Sequence, residues 1–196
     1  MLSEKINRKD LMMLILAEWE KNGYRISGIT RLQKLLFLLE KEAGIRPSKE
    51  GFDFEAYKAG PYSAKLYDDI EFLENIGLIE SEVSGETNEE ESSEVDYTFE
   101  ELMGDEELMG DNGRSVRSPD AYDERKYRLT EKGKERVETL LAENEYKPVI
   151  DGIKKIRSKF GGYSLDDLLY YVYTKYPEMT TESEIKEKVL RRRHRI

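Results

Sequence analysis

The sequence predicts a mainly α fold with a small antiparallel β wing and a set of C-terminal helices. Three observations lead there. Apolar residues recur at i, i+3, i+4 and i+7 in successive segments. Two short strand-like runs lie on either side of a long acidic stretch. Asn, Gly and Pro punctuate the boundaries between these segments.

The helices follow in order. Asp10 to Lys21 places Leu11, Leu14, Ile15 and Trp19 on one face, and Asn22-Gly23 ends it. Ile29 to Glu42 carries Leu32, Leu35, Leu36 and Leu39, closed by Ala43-Gly44. Phe52, Phe54 and Ala56 alternate with charged residues and read as extended. Gly60-Pro61 then opens a third helix from Pro61 to Ile76, because proline at a first helical position gives up only an N–H that has no partner. Its inward residues are Tyr62, Leu66, Ile70 and Leu73. Gly77 takes the left-handed turn out of that helix, and Leu78 to Val83 reads as a strand. Lys126 to Leu129 is the returning strand. Thr130 caps a helix from Glu131 to Ala142, with Val137, Leu140 and Leu141 inside. Further on, Pro148 to Phe160 stripes Ile150, Ile153, Ile156 and Phe160. Ser164 with Asp167 forms a capping box for a helix holding Leu165, Leu168, Leu169, Val172, Tyr173 and Tyr176, while Tyr170 faces out. Thr181 with Glu184 forms another, opening a last helix through Ile185 and Val189.

Composition narrows the chemistry. The chain has 196 residues, with 38% charged and 38% hydrophobic, which suits a globular protein. Its longest apolar runs, such as Leu35 to Leu39, hold about five residues against the roughly 20 a membrane helix needs. There is no cysteine, which excludes disulfides, thiolate metal sites and a cysteine nucleophile. His194 is the single histidine, so a Ser-His-Asp triad and multi-histidine metal sites are not expected. The start, MLSEKINRKD, lacks an apolar leader core, and a cytoplasmic location is expected.

Charge is unevenly spread. Residues 80–124 hold 17 acids and two bases, a net of −15, while the other 151 residues carry 25 acids and 30 bases, a net of +5. The chain divides into 1–79 with the first three helices, the acidic insertion 80–124 at the wing tip, 125–145 with the second wing strand and its helix, and 146–196 with the C-terminal helices and a basic tail. The insertion reads as disordered and repeats ELMGD at 101–105 and 107–111. The spacing of Asp105, Glu106, Glu107 and Asp111 does not fit a calcium hand loop, and no metal or cofactor is expected. Loop closure cost grows slowly with length, so a wing tip tolerates such an insert.

The order helix, helix, helix, strand, long turn, strand, helix is the plan of a winged helix-turn-helix. LYDDIEFLENIGLIE at 66–80 resembles the third helix and first wing strand of such proteins, and YRLTEKGKERVETLL at 127–141 their second strand and following helix. RLQKLLFLLEKE, FDFEAYKAGPYSAKLYDDI and LENIGLI, within 31–79, together with LLYYVYTKYPEMT at 168–180, are similar to the uncharacterised YwgA-like family. More distantly they resemble the Panacea domain of SocA-type antitoxins, through its KLL(F/Y)L helix and Y-x-x-GP step. The resemblance implies a winged-helix scaffold.

The first functional expectation is therefore double-stranded DNA binding in transcription regulation, mainly through phosphates. Lys58, Tyr62, Ser63 and Lys65 gather at the third helix N-terminus, where exposed N–H groups favour an anion. Arg125, Lys126 and Arg128 lie on the returning wing strand. Other bases are Arg25, Arg31, the group Lys154, Lys155, Arg157 and Lys159, and the tail Arg191, Arg192, Arg193 and Arg195. The third helix itself argues the other way. Asp68, Asp69, Glu71 and Glu74 would repel phosphates along its later turns. The alternative expectation is a non-catalytic protein-interaction module, antitoxin-like or complex-assembling, that turns this acidic surface to a protein partner. The tyrosines at 170, 171, 173 and 176 suggest a homodimer contact. An enzyme is not expected: Asp68-Asp69 and Asp166-Asp167 are adjacent pairs that point about 100° apart on a helix, and no phosphate-binding glycine motif occurs.

Overall fold

A computed structural model describes residues 6–47, 49–83 and 125–191. The protein is mainly helical with small antiparallel sheets. In chain order the elements are α1 (Arg8–Lys21), β1 (Ile26–Ser27), α2 (Ile29–Ala43), β2 (Glu55–Tyr57), β3 (Gly60–Tyr62), α3 (Lys65–Asn75), β4 (Ile79–Val83), β5 (Arg125–Leu129), α4 (Glu131–Ala142), α5 (Lys147–Phe160), α6 (Leu165–Lys175) and α7 (Lys186–Arg191). The expected insertion lies outside the described residues beyond Val83, as do Arg192 to Ile196 of the tail.

Helices α1 and α2 are enclosed on nearly every side rather than on one stripe. Met12, Met13 and Leu16 are buried beside Leu11, Leu14 and Ile15, and Phe37 and Leu38 beside Leu32, Leu35, Leu36 and Leu39. A helix apolar all round is an interior helix. Helix α1 packs against α3, α4, α5 and β5, and α2 against α5, α6, β1 and β3. Helix α5 thus serves both, through Val149, Ile153, Ile156 and Phe160.

Polar groups on α2 find partners in the elements around it. Arg31 donates to the Tyr163 carbonyl (2.7 Å) and Lys34 to the Pro61 carbonyl (2.9 Å). Gln33 Oε1 accepts from the Ser63 N–H at 3.0 Å. Glu42 accepts from Tyr171 (2.6 Å), Tyr176 (2.9 Å) and Lys159 (2.9 Å). Burial alone would raise the Glu42 carboxyl. The two hydroxyls and the ammonium outweigh it and hold the group at about 2, below the ordinary 4.5.

The strand pair expected of a wing forms an antiparallel sheet with one more strand than expected. Strand β5 lies between β4 and β1, all antiparallel, with Ile79 opposite Leu129, Val83 opposite Arg125, and Ile26 opposite Tyr127. Gly77 makes the left-handed turn out of α3 at φ 69°. Helix α4 has the expected bounds, and Thr130 Oγ1 accepts from the Gly133 N–H at 3.1 Å. The Thr130 hydroxyl also donates to the Gly77 carbonyl (2.7 Å), and its N–H to the Leu78 carbonyl (3.1 Å). This draws the first turn of α4 onto the β4 entry so closely that a Cβ at Gly133 would lie 2.0 Å from the Leu78 oxygen.

Four expectations are corrected. Helix α3 starts at Lys65, not Pro61. Pro61 instead pairs with Ala56 in a β2–β3 hairpin, and its carbonyl takes the Lys34 ammonium. Thr181 and Glu184 do not cap α7, which starts at Lys186. The Glu184 N–H goes to the Lys58 carbonyl (3.0 Å). Leu141 points outward at 49% exposure, and Tyr170 is half-buried against the core. The Ser164–Asp167 capping box forms as expected.

Gly133→Ala should destabilise the protein by about 2 kcal/mol in denaturant unfolding, despite alanine's better helix propensity, because the methyl must push α4 off β4. Glu42 should stabilise the protein above its unfolded pKa, near the ordinary 4.5, and lose that contribution as pH falls through about 2. The stability gap between the natural chain and Glu42→Gln should therefore close between those two pH values in acid titrations of unfolding.

Candidate functional site

The expected DNA-contacting residues fall into two groups at opposite ends of α3. The 11 residues of that helix span about 16 Å. At its start Lys58, Tyr62, Ser63 and Lys65 are each engaged with other parts of the protein. Ser63 is buried, its hydroxyl donating to the Phe52 carbonyl and its N–H to Gln33. It pins the hairpin to α2 and is turned away from any ligand. Lys65 pairs with Asp53 and lies 3.5 Å from the Gly51 carbonyl. The Lys58 ammonium lies 3.8 Å from Glu184. Tyr62 is half-buried between Tyr57 and Tyr67, with ring centroids at 4.7 Å and 5.9 Å.

Pleating divides the wing residues. Arg125 shares the inner face with Ser81 and Tyr127. Its guanidinium donates to Ser81 Oγ (3.0 Å) and to Glu74 (3.5 Å). Lys126 and Arg128 share the outer face with Glu80 and Glu82. Arg128 lies 3.0 Å from Glu80 and 2.7 Å from Glu82, and Lys126 stands opposite Glu82 in the register. Two acids and two bases thus make up the outer wing face. Of the other basic candidates, Arg31 is engaged with Tyr163, Arg157 with Glu18 (3.4 Å), Lys159 with Glu42, and Arg191 with Glu187 (2.6 Å), while Arg25 and Lys154 are exposed and Arg192, Arg193 and Arg195 lie outside the described residues.

Helix α3 presents a different surface. Leu66, Ile70 and Leu73 face the core. Asp69 joins them, only 1% exposed, and receives Arg8 at 2.6 Å and Lys9 at 2.7 Å. It therefore anchors α3 to α1 and adds nothing to the outer charge; its neighbour Asp68 is exposed on the other side. The outward residues are Asp68, Glu71, Phe72, Asn75 and Ile76, with Phe72 47% and Ile76 38% exposed. Lys9 also sits 4.9 Å over the Phe72 ring. Sequence periodicity gives the direction of this face. The two apolar residues on it gave no such signal: Phe72 falls one position before the inward Leu73, and Ile76 stands at inward spacing but just past the end of α3.

A shallow open cleft of about 600 Å³ lies among the end of α1, the wing and the start of α4. Glu20, Glu80 and Glu131 in its lining are matched by Arg25, Arg128 and Lys134. Glu20 accepts from the Leu129 N–H (2.9 Å), and Lys134 pairs with Glu131 (2.6 Å). Among the described residues no three Asp, Glu or His side chains gather to hold a metal ion, and no helix is long and apolar enough to cross a membrane. The acids at 105–111 lie outside them. The tyrosines expected at a dimer contact are turned largely inward. Tyr171 and Tyr176 bond Glu42, and Tyr173 is buried with its hydroxyl 2.7 Å from Ser183.

Asp69→Ala should cost about 3 kcal/mol in equilibrium unfolding, since it leaves Arg8 and Lys9 facing an emptied buried site. Compared with known proteins, the chain matches no family model, no curated protein and no solved structure.

Proposed function

We propose that the protein is a non-catalytic interaction module on a winged-helix scaffold that docks another polypeptide through the outward face of α3. The scaffold reading is supported by the succession of α1, α2, α3, β4, β5 and α4, in which the short strands β1 to β3 are interposed. The observation that carries the docking reading is the makeup of that face: an exposed Phe and Ile set among carboxylates. Exposed aromatic and aliphatic anchors inside a polar rim are the make-up of a protein contact. They suit a major groove poorly, where phosphates flank every approach.

A second reading keeps the scaffold and binds double-stranded DNA. It is favoured by Lys126 on the outer wing and Arg25 exposed beside the wing base. It requires these cations to outweigh the ion pairs around them.

The experiment places a photo-reactive side chain at Asn75, on the outer row of α3, and irradiates cells making the full chain. Adducts with polypeptide are expected, reduced at least tenfold (about 1.4 kcal/mol) by Phe72→Ser with Ile76→Ser. Adducts with nucleic acid alone, together with a salt-dependent gel shift of duplex DNA at micromolar protein, overturn the docking reading in favour of the second.

A further inference from the structure

The docking face does not end at the start of α3. Tyr57 of β2, Tyr62 of β3 and Tyr67 of α3 form a column of three half-buried rings, tilted by 36° and 42° to their neighbours. The column runs from the hairpin onto the helix, where Glu71 follows Tyr67 by one turn. Asp68, Phe72 and Ile76 form the adjoining row.

Carboxylates gather around these rings. Burial raises the Tyr62 phenol, and Tyr57, Glu55 and Asp68 close to it raise it further. Glu55, Asp68 and Glu71 are all exposed. The nearby bases are drawn elsewhere, Lys58 towards Glu184 and Lys65 towards Asp53. An aromatic face carries negative potential, and carboxylates beside it deepen the attraction for a cation. The molecule already uses this chemistry on the same face, at the Lys9 ammonium over Phe72, and elsewhere at Lys41 over Phe37 and Lys159 over Tyr171.

Resting on the docking reading, we propose that the partner contacts this face with a segment rich in lysine or arginine punctuated by apolar side chains. The cations lie against Glu55, Asp68 and Glu71 and over the tyrosine rings, and the apolar side chains cover Phe72 and Ile76. The segment's charge gives orientation and partner choice, because an acidic competitor meets like charge at each of the three carboxylates.

The test uses the full chain and two synthetic helical peptides, one of leucine and lysine, the other with every lysine replaced by glutamate, each with a benzophenone at its centre. The acidic residues of 84–124 attract cations by themselves, so the site of attachment is mapped by mass spectrometry as well as affinity. The lysine peptide is expected to attach within residues 55–76 and to bind at least tenfold more tightly than the glutamate peptide at about 0.15 M salt. Asp68→Lys with Glu71→Lys should reverse that preference. The uncharged pair Asp68→Asn with Glu71→Gln should reduce it at least threefold while leaving thermal unfolding unchanged. Attachment confined to 84–124, equal attachment of the glutamate peptide, or a preference unmoved by both pairs overturns the assignment of charge. If polypeptide adducts still form at position 75 in that event, the docking face stands and its partner is not basic. If they also fail, both fall together.

Discussion

The central constraint is that α2 is buried almost completely and yet is not wholly apolar. Gln33 and Lys34 are each 3% exposed, and a buried polar group without a partner costs more than its hydrogen bond returns. The solution is long-range. Arg31 reaches the loop before α6, Gln33 and Lys34 reach the β2–β3 hairpin, and Glu42 gathers two tyrosines and a lysine from α5 and α6. The hairpin sits against α2 because of these bonds, and the hairpin in turn sets where α3 begins. The orientation of the outward α3 face therefore descends from side chains on a largely interior helix.

Electrostatics on the outside is largely self-contained. Arg128 and Lys65 each have a carboxylate neighbour, and Arg125 is turned to Glu74 on the inner face, so the outer sheet face and the helix start present paired charges rather than a phosphate-seeking field. Exposed pairs of this kind contribute little to stability. Their main effect is on what approaches. With those bases occupied, the carboxylates of α3 and the apolar pair beside them are left as the distinctive surface.

Much of the fold was legible in the sequence because its signals are local. The Thr130 cap, the Ser164–Asp167 box and the Gly77 exit each depend on a few neighbouring residues, and the bounds of α4 follow from them. What was not legible depends on partners far along the chain. Gly60-Pro61 looks like a helix opening until Lys34 claims the proline carbonyl 27 residues away. Ser63 reads as one of the phosphate-contacting residues at the start of the third helix, and Asp69 as one more acid on an acidic helix. Each is turned inward by a group 30 to 61 residues distant. For the candidate site, composition gave the acidity of α3, whereas the tyrosine column needed the hairpin's packing to bring three separate residues into one stack.

The enclosure of α2 has a kinetic side. Its cover comes mostly from α5 and α6, and the tethers from Arg31 to Tyr163 and from Glu42 to Tyr171 span 132 and 129 residues. At the usual pace of synthesis, about 5–20 residues per second, these helices follow α2 out of the ribosome only after on the order of ten seconds. Throughout that interval a run of leucines stands bare. High contact order of this kind slows folding and lengthens exposure to aggregation. A nascent chain built this way leaves α2 without its main cover until the last quarter of its length is being made.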